Sequence, residues 1–469
     1  MNIILLIPPS PQKRKIIRNI DCSMETKGNY LWQPSDFMII TSHLKPDDKV
    51  FFVDGTADSL SMEEFFKEIR QINSVDILFF ALSSVCWESD LKYFRQIKDL
   101  FQNIPIFVIG DIFVENIYKE FILKECDGIV FIPHTLNLQM MAHIKDIPKE
   151  TDIPGVCTRQ EQDIFGGNKT PIYFKSGFPR HEVFQKNGYR FPFARHRKFA
   201  TITTLWGCPF ACSYCTDSKI PPIIRPYNEV LEELKYVAGL GIKELFFADK
   251  TFGYPYKNSF PLLEEMASKF KFQFSCYVHP QTYTPKLFEL MKDAGCKTII
   301  IGVDSANLTS LKQYNRKVMK QNIDNLLIKA RQLDINVCAD FILGLEHETE
   351  ADIENTIKYS LKLPIDYASF NIAAPLPGSD IRQRAMESGK LSFGTEGLDT
   401  FGWQGVLGNE NIDYGKLKKM RNKAIIKFYL RPNYIIKRLR QTSSLEHLQI
   451  QFEEMFGMMK KTFFAKKVS

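Results

Sequence analysis

Cys208, Cys212 and Cys215 stand at C-x₃-C-x₂-C spacing in the stretch Gly-Cys-Pro-Phe-Ala-Cys-Ser-Tyr-Cys over 207–215. Cysteine thiolates are natural ligands of iron–sulfur clusters. Three of them on one tight loop can hold three corners of a four-iron cluster. No fourth cysteine lies nearby in sequence, which leaves one iron open to a small molecule. The same three thiols, joined by a histidine from elsewhere, would make a structural zinc site. Spacing alone does not choose between the two.

The elements that must position the loop can be read outward from it. The apolar run over 199–205 is a strand, and strand then helix recurs six times from there. Strands fall at 199–205, 244–248, 272–278, 297–303, 336–343 and 367–373, with helices at 228–239, 258–270, 285–294, 321–333, 350–361 and 379–387. Gly239, Gly241 and Gly295 sit where C-terminal caps end the first and third helices. In closed barrels of such units the reacting groups gather at the carboxyl ends of the strands.

Residues 1–148 alternate in the same manner. Strands at 2–7, 50–53, 76–82, 104–109 and 128–132 are near-continuously apolar, as in a parallel sheet covered on both faces, with helices at 35–44, 61–72, 89–101 and 115–125. This predicts a doubly wound α/β domain whose ligand would bind at the carboxyl ends of the strands. Those ends carry Pro9, Gly55, Ser83, Ser84, Gly110 and His134. Residues 149–197 lack sustained periodicity and read as a connecting segment, 198–395 as the barrel, and 396–469 as a helical tail.

The segments after the barrel strands resemble those of the radical S-adenosylmethionine (SAM) superfamily, whose cysteine motif carries an aromatic residue where Tyr214 stands. Phe247-Ala248-Asp249 follows strand two, and Gly302-Val303-Asp304-Ser305 strand four. Strand five ends Phe341-Ile342-Leu343-Gly344-Leu345, and strand six leads to Pro375-Leu376-Pro377-Gly378-Ser379. Arg225-Pro226 also matches. Zinc binding gives no reason for this series. The resemblance implies a partial (β/α)₆ barrel and a [4Fe-4S] cluster whose open iron is chelated by SAM and cleaves it to a 5′-deoxyadenosyl radical. It implies SAM contacts at Tyr214, Arg225, Ala248, Asp249, His279, Asp304, Ser305, Leu343 and Gly344. Lys250 and His279 depart from the family pattern, which leaves the SAM carboxylate contact open.

The N-terminal part resembles the cobalamin-binding domain that precedes many radical SAM domains, on Leu6-Ile7-Pro8-Pro9, Ser83-Ser84 and Gly110. That implies cobalamin near Pro9, Ser83, Ser84, Gly110 and His134, although no Asp-x-His-x-x-Gly motif offers a lower ligand to cobalt. A scaffold without cobalamin is the alternative. The tail resembles the subgroup of the anaerobic magnesium-protoporphyrin ester cyclase at Phe428-Tyr429-Leu430-Arg431-Pro432.

Composition bounds the remainder. At 469 residues, 44% of them hydrophobic, the chain has material for two or three cores. No run is long enough to cross a bilayer. The scattered remaining cysteines suit a reducing cytoplasm rather than a disulfide framework. Residues 416–441 hold ten basic side chains and no acidic one, which suits nucleic acid, an anionic membrane surface or an acidic substrate. Interleaved Ile425, Ile426, Phe428, Tyr429, Ile435 and Ile436 favour instead an amphipathic helix pair packed on the barrel, with no nucleic-acid role. The expectation is a cytoplasmic radical SAM enzyme fed by an electron donor such as ferredoxin or flavodoxin. Its reaction would be cobalamin-dependent methyl transfer to an unactivated carbon of a small-molecule, lipid or peptide substrate. Radical cyclisation or rearrangement is the alternative, and a zinc-stabilised nucleic-acid-binding protein the reading from another class.

Overall fold

The computed structural model describes residues 1–18, 22–24, 26–148, 150–159, 171–173, 177–395 and 408–464. Parts of the connecting segment (149, 160–170, 174–176) and of the tail (396–407, 465–469) lie outside the described residues.

The first sheet holds β1 (Asn2–Ile7), β2 (Lys49–Asp54), β3 (Ile77–Ala81), β4 (Ile106–Ile109), β5 (Gly128–Val130) and β6 (Val156–Cys157). Their order is β2-β1-β3-β4-β5-β6, parallel except for the last pair. The connecting segment therefore adds an antiparallel edge strand that its sequence did not signal. Successive side chains of a strand point to opposite faces. Ile4, Leu6, Leu78, Phe80 and Val108 accordingly enter one core with Phe65 and Phe94 of α2 (Met62–Arg70) and α3 (Trp87–Leu100). Ile3, Leu5, Ile77, Phe79 and Phe107 enter the other, with Phe37 and Met38 of α1 (Ser35–Ile40) and Phe184. Each such side chain, fully buried, contributes roughly 1.5–3 kcal/mol. The helix expected over 35–44 stops at Ile40 and tightens into a 3₁₀ turn over Thr41–His43. A fourth helix, α4 (Asn116–Ile122), completes the layer.

The second sheet runs β7 (Phe199–Ile202), β8 (Glu244–Phe247), β9 (Gln273–Tyr277), β10 (Cys296–Asp304), β11 (Asn336–Leu343) and β12 (Tyr367–Ile372), all parallel and in chain order. The helices are α5 (Tyr227–Gly239), α6 (Tyr256–Lys269), α7 (Pro285–Asp293), α8 (Leu308–Gln313), α9 (Lys320–Gln332), α10 (Glu350–Lys362) and α11 (Asp380–Glu387). This is the expected open (β/α)₆ barrel. Gly241 and Gly295 take the left-handed conformation that ends α5 and α7, whereas Gly239 is α5's last helical residue.

An open barrel leaves two strand edges with unpaired backbone, and both are covered. On β7 the Gln33 amide mimics a neighbouring strand. Its Nε2 donates to the Phe199 carbonyl (3.2 Å), and its Oε1 accepts from the Thr201 amide (2.9 Å). On β12 the Tyr429 hydroxyl donates to the Ala368 carbonyl (2.9 Å) and accepts from the Ala368 amide (3.2 Å). Tyr429 ends α12 (Tyr414–Tyr429), whose Leu417, Met420, Ala424, Ile425 and Phe428 are buried on the barrel. The next helices, α13 (Pro432–Arg440) and α14 (Leu445–Phe464), do not follow it inward. The expected packed helix pair is thus one packed helix and two half-exposed ones, with Ile435 and Ile436 turned outward.

Sheet and barrel are joined by a buried clasp. Arg382 of α11 donates from Nε to both carboxylate oxygens of Glu115 (2.8 and 2.9 Å), and the same carboxylate accepts from the Gly378 amide (3.1 Å). Phe393 stacks on Tyr118 beside it.

Candidate active site

The three cysteines lie in the loop after β7, at the carboxyl rim of the barrel. Gly207 enters the loop at φ +76°, where a Cβ would sit 2.3 Å from the Pro221 carbonyl oxygen, so the turn requires glycine. Neighbouring strand-end segments hold the loop in place. The Ser213 amide donates to the Tyr314 carbonyl (3.0 Å), Asn315 Nδ2 to the Ala211 carbonyl (3.0 Å), and the Asp380 amide to the Ser213 carbonyl (2.9 Å). Thr216 Oγ1 reaches the Pro377 carbonyl (2.9 Å). Among the described residues no three His, Cys, Asp or Glu side chains converge on one metal-ion position.

Around Cys212 the rim carries a network that sequence reasoning did not find. Arg316, in the turn after α8, is 8% exposed. Its Nε donates to Asp304 Oδ2 (2.6 Å), Nη2 to the Gly302 carbonyl (2.8 Å), and Nη1 to His279 Nε2 and towards Cys212 Sγ (3.8 Å). Tyr214 donates its hydroxyl to the same Asp304 oxygen (3.0 Å). Asp304 is held at φ +64°, an uncommon conformation outside glycine that clusters at functional sites. His279 stacks on Phe210 of the cysteine loop, ring centroids 3.7 Å apart. Burial, and then the Arg316 charge, push the His279 pKa down to about 2, so its ring is neutral and accepts. His279, where the resemblance implied a SAM contact, therefore has a guanidinium beside it, that of Arg316, whose only sequence signal was a charged residue twelve positions after Asp304.

A second network joins the ends of β10 and β11. Ser305 Oγ donates to Glu348 Oε1 (2.6 Å), while Glu348 Oε2 accepts the Gly344 and Leu345 amides (3.0 and 3.1 Å). Burial raises the Glu348 carboxyl above its ordinary range, against those three hydrogen bonds. Glu348 thereby fixes the Leu343-Gly344 turn. The Leu343 side chain faces the helix layer, so only its backbone borders the rim.

Two expected contacts point elsewhere. The Arg225 guanidinium donates to the Thr203 carbonyl (3.0 Å) and Glu233 Oε2 (2.6 Å), under the loop rather than in it. Asp249 accepts the Thr204 amide (2.7 Å) and hydroxyl, bracing β7 against β8. Burial lifts its pKa to about 6. Its side chain is a strut, which leaves the backbone of Ala248 and Asp249 to face a ligand.

Inside the barrel lies a cavity of about 560 Å³. Tyr214 and Cys215 line it on the cluster side, Asp111 and Cys22 on the side of the first sheet, and α13 and α14 at the far end. Alternate residues of β11 and β12 (Asp340, Ile342, Ser369, Asn371) point into it. Lys27 reaches in to bond Ser369 Oγ and Asn371 Oδ1 (2.8 Å), and Lys250 lies over the Tyr277 ring (5.3 Å). Lys250 is thus a cavity residue. Of the two cysteines on barrel strands β9 and β11, Cys338 lines the cavity and Cys276 faces the helices.

The rim of the first sheet is braced within itself. Arg18 donates to both Asp90 oxygens (3.1 and 3.0 Å) and to the Pro8 and Pro9 carbonyls (3.0 and 3.3 Å). Ser83 Oγ donates to Asp90 (2.6 Å), and the Ser84 amide to Asp111 (2.9 Å). At Gly110 a Cβ would fall 1.9 Å from the Leu82 carbonyl oxygen. Pro9, Ser83, Ser84 and Gly110 therefore share one rim. His134 is 1% exposed and meets Trp206 edge-on at 5.4 Å.

Comparison with known proteins agrees with this arrangement. An uncharacterised methyltransferase of Pyrococcus horikoshii is 24% identical over 455 residues, spanning 93% of this chain and 94% of that protein. Among solved structures, the radical SAM methyltransferase TsrM of Kitasatospora setae, with cobalamin and a [4Fe-4S] cluster bound, superposes with a TM-score of 0.63 at 13% identity. That match covers 82% of this chain and 75% of TsrM. OxsB, a cobalamin-dependent SAM radical enzyme, gives 0.63 at 14% identity over 99% of this chain and 72% of its own. At such identities the likeness is one of fold. Residues 202–360, from β7 into α10, match the radical SAM superfamily, so this stretch is a radical SAM domain.

Proposed function

We propose that this protein is a cobalamin-dependent radical SAM methyltransferase acting on an unactivated carbon. The observation that carries the reading is the single cavity shared by the cysteine loop, the barrel interior and the rim of the first sheet. A methyl donor on that rim and a radical source at the loop would face the same substrate. The full-length relative named a methyltransferase and the two solved folds named with cobalamin support it.

Cys208, Cys212 and Cys215 would hold the cluster, which with SAM bound supplies the hydrogen-abstracting radical. Arg316 would pair with the SAM carboxylate, positioned by Asp304 and by the neutral His279 that accepts from it. The Ser305–Glu348 pair fixes the turn at Gly344, whose backbone would border the adenine. Bound cobalamin would supply the methyl group. Small rim residues (Pro9, Ser83, Ser84, Gly110) leave backbone near its face, and Asp111 opens onto the shared cavity. His134 is packed edge-on against Trp206. The reductant would be a ferredoxin or flavodoxin in a reducing cytoplasm.

Anaerobic reconstitution tests the reading. Four irons, four sulfides and one cobalamin per chain are expected, with reductant-dependent formation of 5′-deoxyadenosine from SAM and of S-adenosylhomocysteine once a substrate turns over. Deoxyadenosine without retained cobalamin or S-adenosylhomocysteine would move the protein to radical cyclisation or rearrangement.

A further inference from the structure

The helices α13 and α14 leave an apolar face that the fold does not use. Nine of the twenty-one exposed large apolar side chains among the described residues fall between 430 and 456. On α14, Leu445, Leu448, Phe452, Met455 and Phe456 recur at helical spacing and form one stripe, from 39% to 75% exposed. Its outward direction is fixed by the opposite face. There Glu453 pairs with Arg197 (2.7 Å), Glu454 accepts the Asn29 amide (2.9 Å), and Lys461 donates to the Gly28 carbonyl (2.7 Å). On α13, Arg438 lies over the Tyr367 ring (4.4 Å), which turns Ile435, Ile436 and Leu439 outward.

This face is also the mouth of the cavity. Leu430, Ile435, Leu439, Leu448, Phe452 and Met455 are exposed to solvent and at the same time line the 560 Å³ interior. A substrate entering here passes between apolar walls before reaching Asp340, Lys27 and the cysteine loop. Residues 416–441 carry ten Lys or Arg and no acidic residue; three of them pair with carboxylates of the barrel (Lys416 with Glu350, Lys423 with Glu354, Lys437 with Asp366), which leaves the stretch net positive. Charge of one sign beside a second copy of itself repels, whereas anionic lipid headgroups complement it. Amphipathic helices with basic and Leu- or Phe-rich faces lie in the membrane interface without spanning it. No helix among the described residues is long and apolar enough to cross a membrane.

We propose that the α13–α14 face docks on an anionic lipid surface, and that the cavity takes from it a substrate with a long apolar chain. The proposal rests on the cavity being the substrate site of the methyltransferase.

The full-length protein is floated with vesicles of phosphatidylcholine alone and of phosphatidylcholine with phosphatidylglycerol. Flotation with the anionic vesicles is expected, weaker by at least about tenfold on neutral ones or in high salt. Leu445→Ser with Phe456→Ser, two positions outside the cavity lining, should reduce it about tenfold while substrate-free SAM cleavage and the unfolding temperature hold. Separately, cis-parinaric acid should gain fluorescence with the wild type, and Met455→Trp, which fills the mouth, should abolish the gain while SAM affinity stays unchanged. Failure to float with either vesicle, or equal flotation of the double variant, overturns the docking face. A dimer in sedimentation that the double variant dissolves assigns the face to a second copy instead. No fluorescence gain overturns the substrate class. Iron and cobalamin content, on which the methyltransferase reading stands or falls, enters neither the flotation nor the fluorescence.

Discussion

The molecule has two rims built by the same rule, and they have opposite character. Both are carboxyl ends of parallel strands, rich in small and polar residues. At the first sheet those polar groups satisfy one another: Arg18 is spent on Asp90 and two carbonyls, Ser83 on Asp90, Ser84 on Asp111. At the barrel, Arg316, Asp304 and Tyr214 also bond among themselves, yet Tyr214 stands at the edge of an open cavity with the thiol loop beside it. Both rims reach the cavity, the first through Asp111 and the second through Tyr214 and Cys215; the self-satisfied rim makes a platform, and the rim with the thiol loop a reaction site. The topology is shared, and the difference lies in where the side-chain partners are.

The comparison can be broken most completely at the cysteines. Replacing Cys208, Cys212 and Cys215 by Ala should abolish iron binding and all SAM cleavage while the first sheet stays folded, read by iron analysis and by product formation. A four-iron spectrum surviving in that variant would refute the assignment. Next come the two arginines. Arg18→Ala strands Asp90 in the core and should cost about 3–5 kcal/mol in denaturant unfolding, with SAM affinity unchanged. Arg316→Ala should do the reverse, weakening SAM binding by about 10- to 100-fold, the worth of a charge-assisted hydrogen bond. Arg316→Lys should recover little, since an ammonium lacks the guanidinium fork that serves Asp304 and Gly302 together.

A smaller effect concerns the strand of chain wedged between the rims. Residues 26–33 carry Lys27 into the cavity, and Glu454 grips this segment at Asn29. Burial raises the Glu454 pKa from 4.5 to about 7, so the folded state binds a proton that the unfolded state has released. That contribution is present below pH 4.5 and is lost as pH rises through 7. Between pH 6 and 8 the docking of α14 should weaken by about 1 kcal/mol, because the carboxylate is buried as a charge, visible as faster hydrogen exchange in α14, and Glu454→Gln should flatten the dependence. The smallest effect belongs to His134. The Co(II) spectrum of the reconstituted protein should lack nitrogen splitting, and His134→Ala should leave it unaltered.

Legibility in the sequence followed the range of the interactions. Strands and helices were readable because burial on alternate or every third and fourth residue is a local pattern: β1 and β11 fall at the predicted bounds. The cysteine loop and the strand-end segments were readable because each is contiguous. Arg316 was not, since its partners Asp304, His279 and Cys212 come from three other segments and only the folded rim brings them together. Lys27 escaped for the same reason, sitting in a stretch without periodicity. That the Asp249 side chain is a strut was not readable either, since its partner Thr204 comes from another segment. In the tail, apolar residues at helical spacing said that a face exists. They did not say whether the protein covers it: α12 is covered, α13 and α14 are not.

The bond between the Asn29 amide and Glu454 closes a loop of 425 positions. A ribosome adding about 5–20 residues per second needs roughly 20–85 s to make that much chain. The thiols of residues 208–215 therefore emerge, with the β-strands that flank them, well before the helix that walls the far end of the cavity exists. During synthesis the barrel interior is open on the side that α14 later covers, so the far wall of the cavity is the last part of the enclosure to form.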